Sequence, residues 1–144
     1  MAASRRSLGR ARRPTGVEAG APHPRRVSDR RLATASAELQ GALEALDNLA
    51  ALVAEGEPAY ASSADRRARV RYLWIVVGSR LKNYCQVMAI PRAAGPFGQA
   101  IGLRHTLAYA RPDRVDDIIV WRTSLHDLPA LREAVRETVG ALGV

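Results

Sequence analysis

Arginine, histidine and tyrosine side chains occur together in one short segment, between residues 102 and 111. Arg104, His105, Tyr109 and Arg111 all lie in it. A histidine exchanges a proton near neutral pH, whereas an arginine stays charged and grips phosphate oxygens through paired hydrogen bonds. If the segment is helical, His105 and Tyr109 share one face, with about 5 to 6 Å between their Cβ atoms. These residue types can place a proton acceptor or donor beside a fixed positive charge.

Other kinds of catalytic site find no support in the sequence. The chain has three histidines (His23, His105 and His126) and one cysteine, Cys85, and none of them pair at metal-ligand spacing. The glycines at 95, 98 and 102 follow a loop rather than a strand and lack the Lys-Ser/Thr pair of a phosphate-binding loop. We therefore expect no metal ion and no cofactor, so that any catalysis would use arginine, histidine and tyrosine.

Size and composition predict a small helical protein. A chain of 144 residues, of which 47% are hydrophobic, can bury one sizeable core. Alanine, leucine, arginine and glutamate dominate its middle and end, which favours helices. No window approaches the roughly 20 apolar residues that cross a bilayer, and no apolar segment follows the basic start as in a signal peptide. We expect an all-α protein that is cytoplasmic and not associated with a membrane.

The net charge of +8 is concentrated at the N-terminus. Residues 1–31 contain nine arginines and two acidic residues, a balance of +7, and the other 13 basic and 12 acidic residues nearly cancel. Residues 1–27 also contain three prolines and show no hydrophobic periodicity, which predicts a disordered arm ahead of a folded domain at 28–144. Such an arm either binds RNA or DNA phosphates or is a solvated extension.

Hydrophobic periodicity predicts the first two helices. Apolar residues recur at three-, four- and seven-residue steps over 29–55, with Ser28 or Asp29 as N-cap and the Gly56 and Pro58 pair as a stop. A second helix is expected to begin at Ser62 or Ser63 and to end before Pro91. Four arginines near its start form either a nucleic-acid patch or a solvated face: Arg66, Arg67, Arg69 and Arg71.

The remaining pattern completes an antiparallel bundle of four to five helices. After a loop at 91–98, a third helix is expected to turn Phe97, Ile101, Leu107 and Ala108 inward and to end by Pro112. Another begins near Asp113 or Asp116, and Asp127 is expected to cap the last, with Pro129 in its first turn. Trp74, Trp121 and Cys85 are predicted to be core residues, Gly41 to mark a close helix contact, and His126 to be a surface group.

Three segments of the C-terminal third resemble the HepT-like members of the HEPN superfamily: 102–109 (GLRHTLAY), 115–121 (VDDIIVW) and 127–131 (DLPAL). The resemblance extends upstream through 76–78 (VVG) to 65–67 (DRR), and downstream to Val135. In that family an arginine is followed after four residues by a histidine, then by one residue and a tyrosine. Arg104 matches the arginine, whereas Tyr109 stands in place of the histidine and Arg111 in place of the tyrosine.

The resemblance implies a HEPN-type bundle that dimerises, so that the Arg104 segments of two copies share one cleft. It also implies a ribonuclease toxin that cleaves RNA without a metal and that is neutralised by a nucleotidyltransferase antitoxin, which transfers AMP to the motif tyrosine. Carried onto this sequence, the catalytic residues are Arg104, Tyr109 and His105, and the RNA phosphate binds Arg104 and Arg111. Tyr109 is the nearby acceptor for AMP. Such cleavage needs a base, an acid and a fixed cation.

Alternatives remain open at this stage. A tyrosine is a poor general base at pH 7, since its usual pKa is near 10, and the chain can therefore be a catalytically inactive binding subunit for a nucleotidyltransferase or for RNA. It can also be a plain interaction bundle whose arginine arm contacts nucleic acid. His105 and Tyr109 can form an ordinary surface or dimer-contact pair, and Arg104 can be a salt-bridge partner of Asp116 or Asp117.

Overall fold

The computed structural model describes residues 27–92 and 95–143, and in these ranges the backbone forms helices and no strand. The helices are α1 (Asp29–Ala54), α2 (Glu57–Ser62), α3 (Ala64–Met88), α4 (Phe97–Tyr109), α5 (Asp117–His126) and α6 (Leu128–Leu142), with a 3-10 turn at Pro112–Arg114. The all-α prediction is confirmed. The disordered arm predicted at 1–27 lies outside the described residues, apart from Val27.

The described ranges contain six α-helices instead of the predicted four to five, because α2 was not expected. The chain does turn at Gly56, which has a φ of 95°. Pro58, however, lies in the first turn of α2 instead of ending a helix. A proline has no N–H to lose at that position, and its fixed φ suits a helix start. Gly56 therefore turns the chain after α1, and Pro58 lies in the first turn of α2.

Side-chain caps set the starts of three of the six described α-helices, α1, α3 and α5. The Ser28 side chain accepts the N–H of Arg31 at the start of α1, and Ser63 accepts the N–H of Arg66 at the start of α3, both at 3.2 Å. Asp116 accepts the N–H of Ile118 at 2.9 Å and so caps α5. Asp127 precedes α6 as predicted, but its side chain makes no capping hydrogen bond, so its role as a side-chain cap was predicted wrongly.

Helix α3 runs antiparallel to both α1 and α4. The Arg31 guanidinium donates to the carbonyl of Val87, while at the opposite end of the α1–α3 pair Arg66 donates to Glu55. Between α3 and α4, the rings of Tyr84 and Phe97 meet edge to face, with centroids 5.9 Å apart. Helix α6 packs against α1, and none of the described helices combines the length and apolar character needed to cross a membrane.

The core confirms the predicted packing anchors. Trp74, Trp121 and Cys85 are all buried, and the Trp74 Nε1 donates to the hydroxyl of Ser124 at 2.8 Å. Gly41 meets the side chain of Arg80, which confirms a close helix contact there. Ala108 was predicted to face inward but is exposed. It lies one residue, about 100° of helix rotation, beyond Leu107, which is the last α4 side chain buried against the bundle.

Candidate functional site

The close approach of α4 to α3 depends on Gly78. A methyl group at that position would lie 2.7 Å from the carbonyl oxygen of Ala100 and would overlap the Cβ of Arg104. Real Cβ atoms do not come this close to backbone oxygens, so the crossing requires a glycine. The carbonyl of Ala100 and the Cβ of Arg104 therefore lie directly against α3 at Gly78, and the Arg104 side chain continues to Ser79 on the same helix.

The guanidinium of Arg104 is held by two contacts. Its Nε donates to the hydroxyl of Ser79 at 3.1 Å, and its Cζ lies 5.9 Å from the centroid of the Tyr109 ring, a distance at which a cation and an aromatic face attract each other. Ser79 was not predicted as part of the site, and the only sequence signal for it is its position next to Gly78. These contacts orient the guanidinium without neutralising it.

The alternative of a salt bridge from Arg104 to Asp116 or Asp117 is wrong. Asp116 caps α5, and Asp117 pairs with Arg71 at 2.7 Å and with Arg67 at 3.4 Å. Among the described residues, no carboxylate lies within 4.0 Å of the Arg104 guanidinium nitrogens. The charge of Arg104 is therefore available to an anion brought by another molecule.

His105 and Tyr109 meet on one face of α4, as their four-residue spacing predicted. Their ring centroids are 4.8 Å apart, and the planes are inclined at 50°. His105 is exposed, and Tyr109 keeps 70% of its surface exposed at the last residue of the helix. The structure thus brings together three of the four predicted site residues, a guanidinium, an imidazole and a phenol, on an accessible surface.

Arg111, the fourth predicted residue, lies in the chain that follows α4. Its Nε and Nη2 reach the two carboxylate oxygens of Asp113 at 3.3 and 3.1 Å, and both side chains are largely exposed. An exposed ion pair of this kind contributes about 1 kcal/mol or less, so a phosphate can compete with the carboxylate. The opposite charges of Arg111 and Asp113, two residues apart, are the sequence signal for this pairing.

The arginines at the start of α3 have mostly structural partners. Arg66 pairs with Glu55 at 2.6 Å, whereas Arg67 and Arg71 both bind Asp117 and so tie α3 to the start of α5. Three of the four guanidinium groups thus share two carboxylates, Glu55 and Asp117, which offsets part of their charge and disfavours a nucleic-acid patch at this place. Arg69 is exposed.

Two pockets of about 300 Å³ lie elsewhere on the surface. One is lined by residues that include Trp74, Leu103, His126 and Asp127. The other lies beside the packed rings of Tyr60 and Trp121, whose centroids are 4.8 Å apart. No group of three or more histidine, cysteine, aspartate or glutamate side chains in the described ranges is placed to hold a metal ion.

Comparisons of the chain with protein-family models, with curated proteins and with solved structures give no match. The candidate site is the α4 cluster, which we define as Arg104, His105 and Tyr109 together with Ser79.

Proposed function

We propose that the protein is a HepT-like, metal-independent RNA endonuclease and the toxin component of a toxin-antitoxin pair. The observation that carries this proposal is the state of Arg104: its guanidinium is oriented by Ser79 and Tyr109, has no carboxylate partner among the described residues, and lies near the same Tyr109 ring that the exposed His105 imidazole contacts. A fixed, unneutralised cation next to a proton-transfer group meets two of the three requirements for metal-free cleavage of a phosphodiester.

The α4 cluster can supply each part of that reaction. His105, as the neutral imidazole, takes the proton of a ribose 2′-hydroxyl, whose oxygen then forms a bond to the adjacent phosphorus. Arg104 stabilises the negative charge that grows on the phosphate oxygens. The bond from phosphorus to the 5′-oxygen breaks, and that oxygen receives a proton from Tyr109, because a phenol keeps its proton at neutral pH and can donate it. The products are a 2′,3′-cyclic phosphate and a free 5′-hydroxyl.

A homodimer would place two α4 clusters around one RNA strand. Apolar side chains that a second copy can cover are exposed near the N-terminal half of α3, where Tyr72, Ile118 and Ile119 each keep more than half of their surface accessible. In this arrangement the apolar side chains form the contact, and the two Arg104 residues line a shared groove. The partners are therefore RNA, a second copy of the chain and the antitoxin.

The antitoxin in this proposal is a nucleotidyltransferase that transfers AMP to Tyr109. Arg111 has no hydroxyl to accept a nucleotide, whereas the Tyr109 ring is exposed and lies next to a guanidinium that can pair with the new phosphate. Modification would then block the cluster in two ways, by removing the phenolic proton and by binding Arg104. Both effects inhibit cleavage, which is the purpose of an antitoxin.

A second candidate is a catalytically inactive subunit that binds RNA or a nucleotidyltransferase. The pairing of Arg111 with Asp113 favours it, because Arg111 can bind a phosphate only after the phosphate displaces this carboxylate, which leaves Arg104 as the cation of the α4 cluster. One imidazole and one guanidinium without a carboxylate partner among the described residues also suit binding without turnover.

The two candidates are separated by incubating the purified protein with total RNA in EDTA and comparing it with Arg104→Ala. The matched control is Arg136→Ala, which removes a half-exposed arginine on α6 that pairs with Asp47. The nuclease proposal expects cleavage by the wild type and by the control, and at least a hundredfold loss in Arg104→Ala. Equal cleavage by all three proteins would refute it. Binding that depends on Arg104 without cleavage identifies the inactive subunit.

A further inference from the structure

The Tyr109 ring is an aromatic surface left open at the end of a helix. Tyr109 is the last residue of α4, and 70% of its surface is accessible. A ring covered on both faces could not keep so much of its area exposed, so at least one face is free. Exposed aromatic rings commonly contribute to binding sites, because they offer a large apolar area with few rotatable bonds.

Two neighbours hold this ring in place. The imidazole of His105 lies against it with centroids 4.8 Å apart, and the Arg104 guanidinium lies 5.9 Å from its centre. A ring that is already oriented loses less conformational freedom when a ligand covers it, which favours binding. The free face thus belongs to a ring that lies 5.9 Å from a cation with no carboxylate partner among the described residues.

An open aromatic face next to a guanidinium matches one nucleotide of an unpaired strand. We propose that Tyr109 stacks on an unpaired base of single-stranded RNA, while Arg104 binds a phosphate of the same or the adjacent nucleotide. This inference rests on the proposed function and adds its substrate class. Bases inside a duplex already stack on each other and are not accessible, whereas bases in single strands and loops stack readily on aromatic side chains.

Stacking can be tested apart from cleavage by using 2′-O-methyl RNA, which has no 2′-hydroxyl to react. The probes are a fluorescein-labelled oligoadenylate of about 12 nucleotides, an abasic strand of equal length and a duplex. Binding of each to the full chain is followed by fluorescence anisotropy. The variants are Tyr109→Leu, which removes the ring, and Tyr109→Phe, which keeps it. Both should fold, since the residue is exposed at a helix end.

We expect Tyr109→Leu to weaken binding of the oligoadenylate by roughly 5- to 100-fold, and Tyr109→Phe by less than about threefold. Binding of the abasic strand should be the same for all three proteins, because that strand reports only phosphate contacts. The duplex should bind more weakly than the oligoadenylate and should not respond to Tyr109. The abasic strand also corrects for any phosphate binding by the nine arginines of residues 1–31.

The result that overturns the inference is equal binding of the oligoadenylate by wild type and Tyr109→Leu, or an equal loss for the abasic strand. That outcome would also be found if a second copy or another protein covered the ring. It leaves the proposed nuclease intact, since Arg104-dependent cleavage is measured separately. Conversely, stacking that depends on Tyr109 without any cleavage of natural RNA upholds the inference and rejects the nuclease.

Discussion

The backbone of Gly78 lies so close to Arg104 that a single added methyl group would overlap the arginine Cβ. The residue that supplies the candidate cation therefore depends on the absence of a side chain 26 positions earlier in the chain. Because α3 and α4 meet at this point, stability and site geometry are coupled here: a change that separates the helices also displaces the guanidinium from Ser79.

Gly78→Ala is expected to lower the free energy of unfolding by about 1 to 3 kcal/mol, the usual cost of overpacking a tight contact. The matched control is Gly102→Ala on α4, where an added methyl group meets nothing within 4 Å. That variant should be as stable as the wild type or up to about 1 kcal/mol more stable, since alanine is the better helix former. Urea unfolding followed by circular dichroism measures both. Equal stability of the two variants would show that the helix crossing is looser than described.

Ser79→Ala tests whether the hydroxyl orients Arg104. The charge of Arg104 stays in this variant, so we expect RNA cleavage to fall by roughly tenfold, which is less than the loss in Arg104→Ala. Stability should change by about 1 kcal/mol or less, because the hydrogen bond is only partly buried. Ser79→Thr keeps the hydroxyl and should restore most of the cleavage. If the alanine and threonine variants cleave equally well, the hydroxyl has no positioning role.

Much of the helical framework could be predicted from local sequence, whereas the partners of the site residues could not. The capping side chains of Ser28, Ser63 and Asp116 each accept a backbone N–H two or three residues later, so these roles can be predicted from local sequence. The same holds for the His105–Tyr109 pair. The Ser79–Arg104 hydrogen bond joins positions 25 residues apart, and its existence depends on how closely two helices cross.

The wrong assignments have a similar cause. Asp117 was considered as a partner for Arg104, but it binds Arg71, 46 positions earlier, because α5 packs beside the start of α3. Nothing in the sequence shows whether Arg71 or Arg104 is the partner of Asp117. The spacing of apolar residues predicted that Ala108 faces the core. In the structure only a narrow face of α4, with Phe97, Ala100 and Leu107, is buried against the bundle, and Ala108 lies outside that face.

Ser124→Ala is expected to destabilise the protein by about 1 to 3 kcal/mol, although it removes a single oxygen atom. The Ser124 hydroxyl accepts the Nε1 hydrogen of Trp74 at 2.8 Å and donates to the carbonyl of Val120, and both side chains are buried. Without it the indole N–H is buried with no acceptor. Ser62→Ala, which changes an exposed serine, is the control and should alter stability by less than about 0.5 kcal/mol. Thermal and urea unfolding should rank the two variants in this order.

Tyr60 should make the protein less stable at alkaline pH. Burial, together with the nearby carboxylate of Asp117, raises the pKa of Tyr60 to about 12 from its ordinary value of 10.0. The folded state therefore holds this proton more tightly than the unfolded chain, so the stabilisation is fully present below pH 10 and is lost as the pH rises from 10 towards 12. Burial also raises the pKa of Tyr84, which acts in the same direction.

Tyr60→Phe removes the contribution of Tyr60 to the loss of stability at alkaline pH and leaves that of Tyr84. The variant loses the hydrogen bond from the Tyr60 hydroxyl to the carbonyl of Asp117, and should be less stable than wild type by about 1 kcal/mol at pH 8. Its stability should then fall less steeply between pH 10 and 11. Urea unfolding at pH 8, 9, 10 and 11 gives both slopes. Identical slopes for the two proteins would mean that Tyr60 releases its proton equally easily in the folded and unfolded states.

Tyr109→Phe separates the three roles proposed for one side chain. The phenyl ring keeps the stacking surface and its contact with Arg104, so binding of unreactive 2′-O-methyl RNA should be nearly unchanged. The loss of the hydroxyl removes the proposed proton donor, and cleavage of natural RNA should fall by about 10²-fold or more. It also removes the acceptor for AMP, so a nucleotidyltransferase that labels the wild type with radioactive AMP should not label the variant. His105→Gln should instead lose cleavage while it still accepts AMP. If Tyr109→Phe cleaves RNA at the wild-type rate, the proton must reach the 5′-oxygen from another group, and the role of Tyr109 is limited to stacking and modification.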